Sequence, residues 1–65
     1  MTEYKGYTLQ VEAAKDFGTG FLGLYRCYRA ATLIYQGCVV GTMVTAETAE
    51  LEAVAQARRR IDRQR

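Results

Sequence analysis

Amino-acid usage changes abruptly at residue 46. The β-branched and aromatic residues that crowd the first 45 positions almost vanish there, and Ala, Glu, Gln and Arg, all good helix formers, take over. The switch predicts a strand-rich stretch followed by one helix over 46–63. Thr45 is the expected N-cap, with Glu47, Glu50 and Glu52 near the start and Arg58, Arg59, Arg60 and Arg63 near the end, as the helix dipole favours. Leu51, Val54, Ala57 and Ile61 recur at helical spacing and form the expected buried stripe, while Glu52, Gln56, Arg59 and Arg63 share the opposite side.

Upstream, residues 7–14 alternate. Tyr7, Leu9, Val11 and Ala13 fall on one side and Thr8, Gln10, Glu12 and Ala14 on the other, the period of a half-buried strand. The Asp and Gly residues within 15–20 predict a turn. Two apolar stretches, 22–35 and 38–44, flank Gln36-Gly37, which predicts a hairpin reversing at that dipeptide. The expected fold class is α+β: a three-stranded antiparallel meander with one C-terminal α-helix packed across it, forming a single βββα domain over 1–65.

That register sorts the hairpin into two faces. One holds Tyr25, Cys27, Leu33, Tyr35, Cys38, Val40 and Val44, with Arg29 and Thr42; the other holds Leu22, Leu24, Tyr28, Ala30, Ile34, Val39 and Met43, with Arg26, Thr32 and Gly41. Both are apolar, and one helix covers only one of them, so the second is expected to be buried by another chain. The alternative is a bend or bulge near Ala30-Ala31, which leaves neither face apolar along its whole length. The same register sets Cys27 level with Ala46, eight residues of about 3.4 Å each from Cys38, so the two thiols are expected to be reduced.

The absences narrow the chemistry. The 65 residues include no His, Trp, Pro, Ser or Asn and only two Cys. Imidazole general bases, Ser/His/Asp and Cys/His nucleophile pairs, His-containing zinc sites and four-sulfur sites are all excluded. No catalytic residue, cofactor or metal is expected, and the protein is read as non-enzymatic. No signal peptide is expected from the N-terminal residues, and no apolar run approaches the roughly 20 residues of a membrane-spanning helix, which predicts a cytoplasmic protein. Gly18-Thr19-Gly20-Phe21-Leu22-Gly23 matches the dinucleotide fingerprint and Asp16-Phe17-Gly18 a kinase tripeptide. Both are rejected: the residues after Gly23 read as strand rather than helix, and a kinase needs far more chain.

Residues 58–65 carry five arginines against one aspartate, a local charge of +4 that leaves −2 for the rest of a chain with net charge +2. Such segregation suits phosphate binding, and equally a solvated helix end. Tyr25, Arg26, Tyr28 and Arg29 interleave aromatic and basic side chains as stacking platforms for single-stranded nucleic acid do. With Arg59 and Arg63 they are the candidate contacts to a partner or to nucleic acid.

Tyr4-Lys5-Gly6-Tyr7 at the start and Ala57-Arg58-Arg59-Arg60-Ile61-Asp62 at the end resemble short uncharacterised bacterial proteins of β-β-β-α order. Such proteins have no agreed activity, so the resemblance implies the fold and a bacterial or phage source. The strand-rich start and the Ala/Glu helix are also similar to the antitoxin domain of HicB type. That family's Pro-containing core motif is missing here, and its role is not carried over. The leading expectation is a small protein-interaction module, a homodimer or partner-binding subunit using its second sheet face; the runner-up is a small nucleic-acid-binding regulator.

Overall fold

The computed structural model describes residues 2–15, 18, 20–39 and 41–63. Alternation over Tyr7–Lys15 and the aromatic-rich Phe21–Arg29 produce the two longest strands, β2 and β3, and Thr32–Cys38 forms β4. A short strand, β1 (Thr2–Tyr4), precedes them, and helix α1 (Ala46–Arg63) closes the chain. The fold is α+β, but the antiparallel sheet has four strands in the order β1-β2-β3-β4 rather than three. Three residues at the start of the chain are too few to show an alternation, so β1 left no periodic signal.

The hairpin reverses elsewhere than Gln36-Gly37. Arg29 pairs with Thr32, and Ala30 and Ala31 between them both take positive φ, 50° and 65°, as the central residues of a type I′ turn do. Gln36 and Gly37 lie inside β4 opposite Arg26 and Tyr25. A Cβ on Gly37 would come within 2.6 Å of the Tyr25 phenol oxygen, so glycine is needed there to seat a ring, not to turn the chain. Among the described residues of the expected third strand, 38–44, only Cys38 belongs to a strand; Val39 N–H donates to Gly23 C=O at 2.8 Å, and Phe21 and Met43 form an isolated bridge. Val40 lies outside the described residues.

The alternative places a bend or bulge within one strand near Ala30-Ala31; the chain instead reverses there, and a bulge follows at Ile34. Tyr28 pairs with Leu33 but Cys27 with Tyr35, which leaves Ile34 as the extra residue. Cross-strand partners share a face, so Tyr4, Tyr7, Leu9, Tyr25, Cys27, Arg29 and Tyr35 lie under the helix, and Thr8, Gln10, Glu12, Leu22, Leu24, Arg26, Tyr28, Leu33, Gln36 and Cys38 lie on the open face. The expected second apolar face is therefore corrected. Leu22, Leu24 and Tyr28 are on it as expected, but a polar band of Gln10, Glu12, Arg26 and Gln36 crosses it, and Leu33 and Cys38 have changed sides. Both cysteines are free, for a reason other than the one expected: Cys27 is buried under the helix while Cys38 is exposed on the open face.

Helix α1 spans 46–63 as expected, and Thr45 caps it, its Oγ1 accepting from Thr48 N–H at 3.1 Å. The buried face is corrected. Ala49, Ala53, Ala57 and Ile61 are buried, Val54 is partly buried, and Leu51 is 70% exposed. The stripe is small because the helix comes close to β3: a Cβ on Gly23 would overlap the Ala49 carbonyl oxygen. A leucine on that line would hold the helix off the sheet. The core comprises Tyr7, Leu9, Tyr25, Cys27, Val39, Ala53, Ala57 and Ile61, and no polar side chain is buried among the described residues. No helix among them is long and apolar enough to cross a membrane.

Candidate functional site

Because Thr8 pairs with Tyr28, the β1–β2 turn at Lys5-Gly6 and the β3–β4 turn at Ala30-Ala31 lie at the same end of the sheet. The last turns of α1 pack against that end, so the arginine-rich segment meets the tyrosines of the covered face. Arg58 lies over the Tyr4 ring at 5.3 Å, Arg29 over Tyr7 at 4.5 Å and Arg60 over Tyr35 at 5.1 Å, while the Tyr7 and Tyr35 rings are 5.9 Å apart. Tyr4 Oη donates to both Asp62 carboxylate oxygens, at 2.9 and 2.8 Å, and Lys5 Nζ pairs with Asp62 at 2.6 Å. The carboxylate raises the Lys5 pKa above its ordinary value, chiefly through that hydrogen bond.

The six candidate contact residues do not form one surface. Tyr25 is buried under the helix at 7% exposure, so its ring is not open for stacking. Arg29 shares its side of the sheet and is occupied by Tyr7. Arg26 and Tyr28 lie on the open face, where Arg26 pairs with Glu12 at 3.5 Å and Tyr28 Oη donates to Gln10 Oε1 at 3.4 Å. The Tyr/Arg alternation expected to form one platform is split by the pleat, since odd and even positions of a strand point to opposite faces. Arg59 and Arg63 are exposed and have no hydrogen-bond or ion-pair partner among the described residues.

A groove of about 350 Å³ runs between the helix flank and the sheet, lined by Tyr25, Gln56, Arg60 and Arg63. Arg60 is its anchored member: Nη1 donates to Tyr25 Oη at 3.3 Å and to the Gln36 carbonyl at 3.1 Å. The bond to Tyr25 raises the Arg60 pKa further. Beneath it the Cys27 thiol is pushed up by burial, an effect the Arg60 charge partly offsets. Arg60 and Gln56 are not among the contacts expected from the sequence, although their spacing of four, with Arg63 three further on, sets all three on one helix flank.

Among the described residues no group of three or more Cys, Asp or Glu side chains gathers as a metal site would require. Gly18, Gly20 and Gly23 fall between and within two antiparallel strands, a context in which the dinucleotide fingerprint has no helix to open. Asp16, Phe17 and Thr19 lie outside the described residues. No protein family, curated protein or solved structure matches the chain.

Proposed function

We propose that the chain is a small non-enzymatic protein-interaction module that pairs with a second copy of itself along β4 and the adjoining open face. The observation that carries this reading is the character of β4. It is an outer strand of seven residues with neither a charge nor a proline, and Leu33 and Ile34 on it are 42% and 43% exposed. Protein edges are ordinarily blunted by Lys, by Pro or by cover, because unpaired strand groups template association. A strand with no charged residue of its own, paired antiparallel with its copy, satisfies the same unpaired groups on both chains about a two-fold axis, the Gln36 carbonyl being already held by Arg60. The small, alanine-rich core gives an independent reason for partnering, since chains of about this size are marginal alone.

Light scattering at tens of micromolar tests the reading. The expected mass is twice that of one chain, and Ile34→Lys, at an exposed position, is expected to halve it while leaving the circular dichroism spectrum unchanged. A monomeric mass for the unaltered chain overturns it.

A second reading, a small nucleic-acid-binding regulator, rests on the exposed Arg59 and Arg63. If it holds, affinity for duplex DNA falls linearly with log salt, and replacing both arginines by Gln flattens the slope by roughly two units.

A further inference from the structure

We infer that the groove between Arg60 and Arg63 is an oxyanion site that takes a phosphate group. Its lining among the described residues is Arg60, Arg63, Gln56 and Tyr25, with no acidic side chain among them. The acid nearest in sequence, Asp62, is turned to the other side of the helix, onto Tyr4 and Lys5, and leaves the groove's charge in place.

Arg60 is set before any ligand arrives. Its guanidinium stacks on Tyr35, and both of its protein hydrogen bonds leave from a single nitrogen, Nη1. The donors on Nη2 and Nε have no acceptor among the described residues. A guanidinium fixed on one edge and open on the other presents a bidentate fork to an oxyanion with little side-chain freedom left to lose. Arg63 supplies a second fork and Gln56 an amide donor. Donors on three side chains that line one groove suit a tetrahedral group with several acceptor oxygens better than a planar carboxylate with two. The carbonyl dipole of the last helical turn opposes an anion here, but it amounts to about half a charge against two full positive ones.

Arg60 is anchored on the Gln36 carbonyl of β4, but the test of this site reads residues other than those that test β4 pairing. Inorganic phosphate is titrated into ¹⁵N-labelled protein at constant ionic strength, following the Gln56 side-chain amide and the Arg60 Nε–H. Saturable shifts of both are expected. Arg63→Gln is expected to weaken binding about tenfold or more, whereas Arg59→Gln, which removes the same charge outside the groove, leaves it within about twofold. A parallel titration with a short single-stranded oligothymidylate separates the sources. Arg63-dependent binding of the oligonucleotide assigns the site to backbone phosphates, and binding of inorganic phosphate alone assigns it to free phosphate compounds. Absence of saturation with both probes, or equal weakening by Arg59→Gln and Arg63→Gln, overturns the inference.

Discussion

Ala30 and Ala31 take φ of 50° and 65° in the tight turn between β3 and β4. In that region the Cβ of an L-residue crowds the following carbonyl, at about 1–2 kcal/mol per residue, and type I′ turns favour Asn-Gly for this reason. Replacing the pair with Ala30→Asn and Ala31→Gly is therefore expected to stabilise the fold by about 1–2 kcal/mol, which raises the melting temperature by about 4–8 °C per kcal/mol in a domain of this size. A calorimetric scan of the double variant checks it; an unchanged or lower midpoint shows that the strain is relieved by some other means. The same two residues explain why the reversal was hard to see. Two alanines carry no turn signal, whereas Gln36-Gly37 resembles one and serves instead to seat Tyr25.

The helix and β3 meet through their smallest residues, Ala49 and Ala53 against Gly23. Gly23→Ala has no room without moving the helix backbone, and overpacking of this kind is expected to cost about 1–3 kcal/mol. Leu51, 70% exposed, is the opposite case. Leu51→Asp is expected to change stability by no more than about 0.5 kcal/mol, while Val54→Asp, placed against the core, destabilises far more. Urea unfolding of the three variants ranks them; a Leu51→Asp loss as large as that of Val54→Asp shows that Leu51 is covered in solution. The helix bounds and the Thr45 cap were legible in the sequence because they depend on neighbours three or four residues away. Its buried face was not, because the choice between Leu51 and Ala49 was made by the surface it landed on.

Over the whole molecule, the two ends of the chain are joined through Asp62, which binds Tyr4 and Lys5 across separations of 58 and 57 residues. β1 pairs only with β2, and through only three residues, so this clasp is what adds the helix end to its support. Asp62→Asn is expected to speed amide exchange in β1 selectively while β3 keeps its protection, as local opening does at the weakly held end of a sheet. Uniform loss of protection shows instead that the clasp supports the whole fold. The cationic end of the molecule is assembled by the same packing. Arg29, Arg58 and Arg60 are drawn onto tyrosine faces, and Arg59 and Arg63 are left outside.

Local chemistry settled the α+β class, the strand from Tyr7, the span and cap of α1 and the gathering of arginine at its end, since each follows from the period, propensity or charge of adjacent residues. The fourth strand, the reversal at Ala30-Ala31, the bulge at Ile34 and the transfer of Leu33 and Cys38 to the open face depended on strand register. Register is decided between segments far apart in sequence, and a shift of one residue exchanges the two faces of a strand. The groove of Tyr25, Gln56, Arg60 and Arg63 exists only once that register is set. One of its walls is a strand residue turned under the helix, and the other is a helix flank whose direction was fixed by the close approach of Ala49 to Gly23.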